Sequence, residues 1–168
     1  MAKENKMFVG IDPSFHSTGL IVLDQDAKII KQENFSCVVG EVKKGGILDK
    51  TEECLIEYER KIDFVSKILS LENVYIEGPA YNSTGQRALQ MGALHFLTRL
   101  FLFQNNISFK VVAPNSLKKF IFHGHAKKDL ILLKVFQKWG EEFHVDDLAD
   151  AYGLARMAYE DFKDEQTR

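Results

Sequence analysis

The chain has 168 residues, 45% hydrophobic and 27% charged, with three prolines and a formal net charge of −2. That composition excludes a disordered or fibrous chain, and the near-neutral charge argues against a protein that coats nucleic acid by bulk charge. A chain of this length buries roughly two-thirds of its unfolded surface, so one domain over residues 1–168 is expected.

The polar start, Met1 to Lys6, leads directly into a strand and lacks the apolar stretch of a signal peptide. Cys37 and Cys54 share no metal-ligand spacing with each other or with the five histidines, so a reduced, intracellular (cytoplasmic) protein is expected. Three successive strands are predicted at about 6–12, 17–24 and 28–35, with Asp12-Pro13-Ser14 and Asp24-Gln25-Asp26 supplying turn chemistry between them. Residues 36–50, with Gly40, Gly45 and Gly46, lack periodicity and read as a surface loop.

A helix is predicted at about 51–71, with Leu55, Tyr58, Ile62, Val65 and Leu69 on one stripe. A strand at 74–77 ends at Gly78-Pro79, and a second helix follows at about 84–105. There Leu89, Ala93, Phe96, Leu97, Leu100, Phe101 and Phe103 cover more circumference than one core-facing stripe requires, which suggests a second buried face. Its most apolar stretch, Leu94 to Phe103, is broken by His95 and Arg99 and is too short to span a bilayer.

A strand at 108–112, a short helix opened by Pro114, a loop containing Gly124, a helix near 127–139 and a last helix near 146–162 complete the chain. The order βββαβαβααα has neither the repeated βα unit of a doubly wound fold nor the short strands of a sandwich. A mixed five-stranded sheet flanked by helices is the expected α/β architecture.

The near-neutral total conceals an asymmetry. Residues 110–138 carry seven lysines (110, 118, 119, 127, 128, 134, 138) against Asp129 alone, whereas residues 141–168 carry nine acids against Arg156, Lys163 and Arg168. A basic surface beside an acidic one suits a metal-using enzyme for a polyanion.

Four acids stand where such a fold would gather carboxylates: Asp12 and Glu77 end apolar strands, and Asp147 and Asp150 lie three apart at the start of the last helix. Phosphodiester hydrolysis needs an activated water and charge neutralisation, which two divalent ions about 4 Å apart supply. Hard Mg²⁺ prefers an oxygen cage of this kind. Each acid alone also has a plain reading: Asp12 as a turn residue before Pro13, Glu77 as a solvated strand end, and Asp146 or Asp147 as a helix cap. His123 and His125 flank Gly124, but two ligands without a third make a weak zinc site.

Val9-Gly10-Ile11-Asp12-Pro13-Ser14, Thr18-Gly19, Tyr75-Ile76-Glu77, Gly85-Gln86 and Asp147-Leu148-Ala149-Asp150-Ala151, in this order over nearly the whole chain, resemble the RuvC family of Holliday-junction resolvases. The resemblance implies an RNase H-like fold, a homodimer, and Mg²⁺ or Mn²⁺ held by the catalytic acids Asp12, Glu77, Asp147 and Asp150. It implies that the loop Pro79-Ala80-Tyr81-Asn82-Ser83-Thr84 enters the junction, with Tyr81 stacking on a base or packing on its own loop. It places DNA phosphates against Lys118 or Lys119 and against Lys127 and Lys128. It also makes the second helix, through Leu89, Ala93, Phe96, Leu97 and Leu100, the subunit interface.

The expected activity is therefore symmetric, metal-dependent cleavage of branched DNA, above all four-way junctions. Three other readings stand beside it: a nuclease of flaps, forks or RNA-containing duplex, a junction-binding scaffold, and an actin-like or sugar-kinase ATPase suggested by Gly10-Ile11-Asp12 and Thr18-Gly19. The ATPases need two such domains, and 168 residues provide one.

Overall fold

The apolar strings Phe8–Asp12 (β1) and Thr18–Leu23 (β2) are buried along their whole length, as strands covered on both faces must be. Ile29–Phe35 (β3) instead alternates half-buried and exposed positions, the pattern of an edge strand with one wet face. The computed structural model describes residues 6–37, 50–69, 73–79, 85–123 and 128–167, without the side chains of 64, 65, 68, 69, 86, 128 and 129.

β1 pairs antiparallel with β2 and parallel with Val74–Glu77 (β4). β2 pairs antiparallel with β3, and β4 pairs parallel with Phe109–Val112 (β5). The resulting five-stranded mixed sheet has the order β3-β2-β1-β4-β5, as the element order predicts.

The period of two along each strand sorts its side chains between two cores. Val9, Ile11, Leu20, Val22, Val74 and Ile76 face one layer, where Cys54, Tyr58 and Ile62 of Lys50–Leu69 (α1) and Leu94, Phe101 and Leu102 of Gly85–Gln104 (α2) cover them. Phe8, Ile21 and Leu23 face the other layer, built from Leu148, Ala151, Tyr152, Leu154 and Ala155 of Asp146–Gln166 (α5). Pro114–Ile121 (α3) and Lys128–Trp139 (α4) pack beside α5 through Leu117, Ile121, Ile131 and Val135.

Pro114 sits in the first turn of α3, after Ala113 at the N-cap, where its missing N–H costs nothing. The last helix runs to Gln166, four residues beyond the predicted end at 162. Most of the predicted 36–50 loop lies outside the described residues. Among the described residues no helix is long and apolar enough to cross a membrane.

Candidate metal centre

Asp12 is the last residue of β1 and Glu77 the last of β4. Because these strands run parallel with Ile11 opposite Ile76, both acids emerge side by side at the carboxyl edge of the sheet. The turn after Asp12 is tied down by Thr18, fully buried, whose hydroxyl donates to Ser14 O at 2.6 Å and accepts from Ser14 N–H at 3.1 Å.

The other acids arrive with α5, which crosses β1 and β2 at backbone contact. A Cβ on Gly10 would lie 1.8 Å from the Ala151 carbonyl oxygen, and one on Gly19 would lie 2.1 Å from that of Asp147. Glycine is therefore required at both positions for close approach. The N-cap of α5 is Val145, in extended conformation and without a side-chain cap, so neither Asp146 nor Asp147 caps the helix. Both lie in the first turn instead.

One carboxylate oxygen from each of Asp12, Glu77 and Asp150 falls within 4.8 Å of the others. Asp147 belongs to the same cleft, of about 280 Å³, but not to this close group. Asp12 is only 8% exposed. Its pKa is raised well above the usual carboxylate range by burial first, then by the charge of Glu77 and a hydrogen bond with it, and then by Asp150 and Asp147. Converging hard oxygen donors with mutually repelling charge fit a divalent cation such as Mg²⁺ or Mn²⁺.

Of the expected DNA-binding lysines, Lys118 lines the acidic cleft from α3, while Lys119 is exposed outside it. Tyr81 and Lys127 lie outside the described residues, as does the side chain of Lys128. The basic segment is less free than its composition suggests. Lys110 Nζ is 2.7 Å from Asp161 Oδ2, Lys134 donates to Gln137 at 2.8 Å, and Lys138 donates to Phe120 O at 2.8 Å.

On α2, where the sequence suggests a second buried face, only one face is buried in the single subunit. Leu94, Phe101 and Leu102 are core, whereas Leu89, Phe96, Leu100 and Phe103 are exposed, Leu89 by 76% and Phe103 by 74%. Ala93 and Leu97 are half-buried between them, and Leu97 packs against the core.

His95, to which the sequence pattern assigns no role, is 5% exposed and forms part of the acidic cleft's wall together with Met91. Burial, and secondarily the charge of Arg99, pushes its pKa down to about 4, so the ring is neutral near pH 7. Its only signal in the sequence is a polar interruption of the run Leu94 to Phe103.

No protein-family model and no curated protein matches the sequence. Among solved structures the chain is similar to RuvC from Thermus thermophilus, at 21% identity, 94% coverage of this chain and 97% of that one, with a TM-score of 0.70. RuvC from the same organism in complex with a Holliday junction substrate is similar at 19% identity, 93% and 95% coverage, and a TM-score of 0.70. Fowlpox virus resolvase in complex with substrate Holliday junction DNA is similar at 14% identity, 91% and 98% coverage, and a TM-score of 0.55. The likeness is one of fold: the mixed five-stranded sheet and its helices form the expected RNase H-like arrangement over nearly the full length.

Proposed function

We propose that this chain is a metal-dependent endonuclease that resolves four-way DNA junctions as a homodimer, with Asp12, Glu77, Asp147 and Asp150 forming one site in each subunit. The observation that carries the reading is the convergence of Asp12, Glu77 and Asp150 within 4.8 Å on this fold. Similar folds are found in complex with Holliday junction DNA, which supports the choice of substrate.

A bound Mg²⁺ or Mn²⁺ pair would supply charge neutralisation at the phosphorus and an activated water. The chain's own residues do the holding. Asp12, Glu77 and Asp150 present the inner oxygens, and Asp147, one turn before Asp150, reaches the same cleft as the fourth acid. Lys118 offers a positive charge beside them for a DNA phosphate.

Leu89, Phe96, Leu100 and Phe103 make an apolar stripe that a lone subunit leaves in water. Pairing two copies of α2 about a twofold axis buries this stripe and sets the two acidic sites symmetrically, as two matched cuts require.

Cleavage of a synthetic four-way junction, compared with linear duplex and a simple fork in Mg²⁺ or chelator, tests the reading. Paired symmetric nicks on the junction, lost with chelator and in Asp12→Asn, are expected. Tight junction binding without cutting in any divalent ion would replace the enzyme with a scaffold. Equal cutting of fork and junction would replace the resolvase with a nuclease of broader range.

A further inference from the structure

α2 contributes to the acidic cleft as well as to the exposed stripe. Its inward face is aliphatic and aromatic core except at Thr98, whose hydroxyl is bonded to Leu94 O and to Tyr58, and at His95. The His95 imidazole makes no hydrogen bond among the described residues, while its backbone carbonyl accepts from Arg99 Nε at 3.1 Å.

A ring only 5% exposed is a poor core filler unless its polar edge reaches the cleft, since a leucine such as Leu94 would otherwise fill the position at lower cost. His95 lines the cleft that holds the four acids and Lys118. It lies outside the close group of candidate ligands formed by Asp12, Glu77 and Asp150. It also enters from the α1–α2 layer, whereas Asp147 and Asp150 enter from α5 on the other side of the sheet. A molecule bound to the acids thus meets a hydrogen-bond donor on a different wall.

We propose that His95 donates its imidazole N–H to a non-bridging oxygen of the phosphodiester to be cut, an inference that rests on the nuclease reading above. A phosphate needs donors as well as cations around its oxygens, and an uncharged one adds a bond without forming an ion pair with the neighbouring carboxylates. Lys118 supplies charge and His95 supplies direction.

The test uses the full chain in two experiments. In the first, thymidine 5′-monophosphate is titrated with Ca²⁺ into ¹⁵N-labelled protein, and the His95 imidazole resonance is assigned by its loss in His95→Leu. A saturable shift of that resonance is expected, and its absence while phosphate binds overturns the proposal.

In the second, single-turnover junction cleavage falls about ten- to a hundredfold in His95→Leu, the range for a hydrogen bond to a charged acceptor. Ca²⁺ affinity stays at the wild-type value, and His95→Gln, which keeps an N–H donor at similar reach, recovers most of the rate. His95→Leu cutting at the wild-type rate, or a folded His95→Gln with no recovery, overturns the proposal. Should His95→Leu fail to fold, His95→Gln and the resonance shift decide it. A wild type that cuts no junction yet shows the shift sinks the nuclease reading and leaves the phosphate contact standing.

Discussion

The α-carbon of Gly19 in β2 lies directly under the Asp147 carbonyl of α5, so close that a methyl group there would sit 2.1 Å from the oxygen. Gly10 holds the same relationship to Ala151 at 1.8 Å. These two contacts set the depth at which α5 rests on the sheet, and hence the distance from Asp147 and Asp150 to Asp12. Gly10→Ala and Gly19→Ala must lift the helix or bend the strand. Overpacking of backbone against backbone costs about 3 kcal/mol or more, read as a lowered midpoint in urea. Divalent-ion affinity should fall with it.

The crowding of acids gives the cation-free protein a pH dependence of known sign. Asp12 has a higher pKa folded than unfolded, so the folded state keeps a proton that the unfolded chain has lost. Stability in chelator therefore falls as pH rises from the ordinary carboxylate value of about 3.9 through the raised folded value. Asp12→Asn removes this contribution. It should melt higher than wild type in chelator near neutral pH, show a flatter stability–pH curve, and gain less from added Mg²⁺ or Mn²⁺. A variant as pH-sensitive as wild type would mean that Asp12 is not the strained carboxylate.

The four acids should not be equivalent. Asp12, Glu77 and Asp150 form the close group, while Asp147 lines the cleft beyond it. Titration calorimetry with Mn²⁺ should show the first ion weakened by at least about tenfold in Asp12→Asn, Glu77→Gln and Asp150→Asn, since each removes a charged ligand from a hard ion. Asp147→Asn should leave that first affinity near wild type and lose cleavage instead.

Substituting the exposed α2 stripe separates assembly from folding. Leu89 and Phe96 point into solvent in the single subunit, so Leu89→Glu with Phe96→Glu should leave the melting curve of the monomer within about 0.5 kcal/mol of wild type. Sedimentation should move from dimer to monomer, and paired cleavage of a junction should be lost. A double variant that stays dimeric would place the interface elsewhere.

The lysines divide by environment. Lys118 lines the acidic cleft, whereas Lys110 is 2.7 Å from Asp161 and 3.3 Å from the Tyr75 hydroxyl, far along α5 from Asp150. Lys118→Met should weaken junction binding and reduce the slope of log affinity against log salt by about one. Lys110→Met should leave both unchanged. Its own effect is a small loss of stability, about 1 kcal/mol at most because the pair is largely exposed to solvent screening.

Much of the architecture was legible in the chain because the signals are local. Period two marked the strands, the stripe of Leu55, Tyr58 and Ile62 marked α1, Pro114 marked the start of α3, and apolar residues in excess marked a second face on α2. The motifs around Asp12, Glu77 and Asp150 were visible as acids ending strands or opening a helix. Their gathering was expected from those places and from the resemblance, but how closely each acid approaches the others depends on the parallel pairing of β1 with β4 and on the bare backbones of Gly10 and Gly19.

Tertiary structure alone decided three further points. Asp146 and Asp147 are not caps, because Val145 holds the N-cap position. Lys110 leaves the basic surface, because Asp161, 51 residues later, neutralises it. His95 joins the acids, because α2 turns that one polar position of an apolar run toward the cleft. Composition and periodicity determined which elements form and which faces seek burial, since those depend on neighbours along the chain. Charge state, pairing and access depend on neighbours in space, and only packing supplies them.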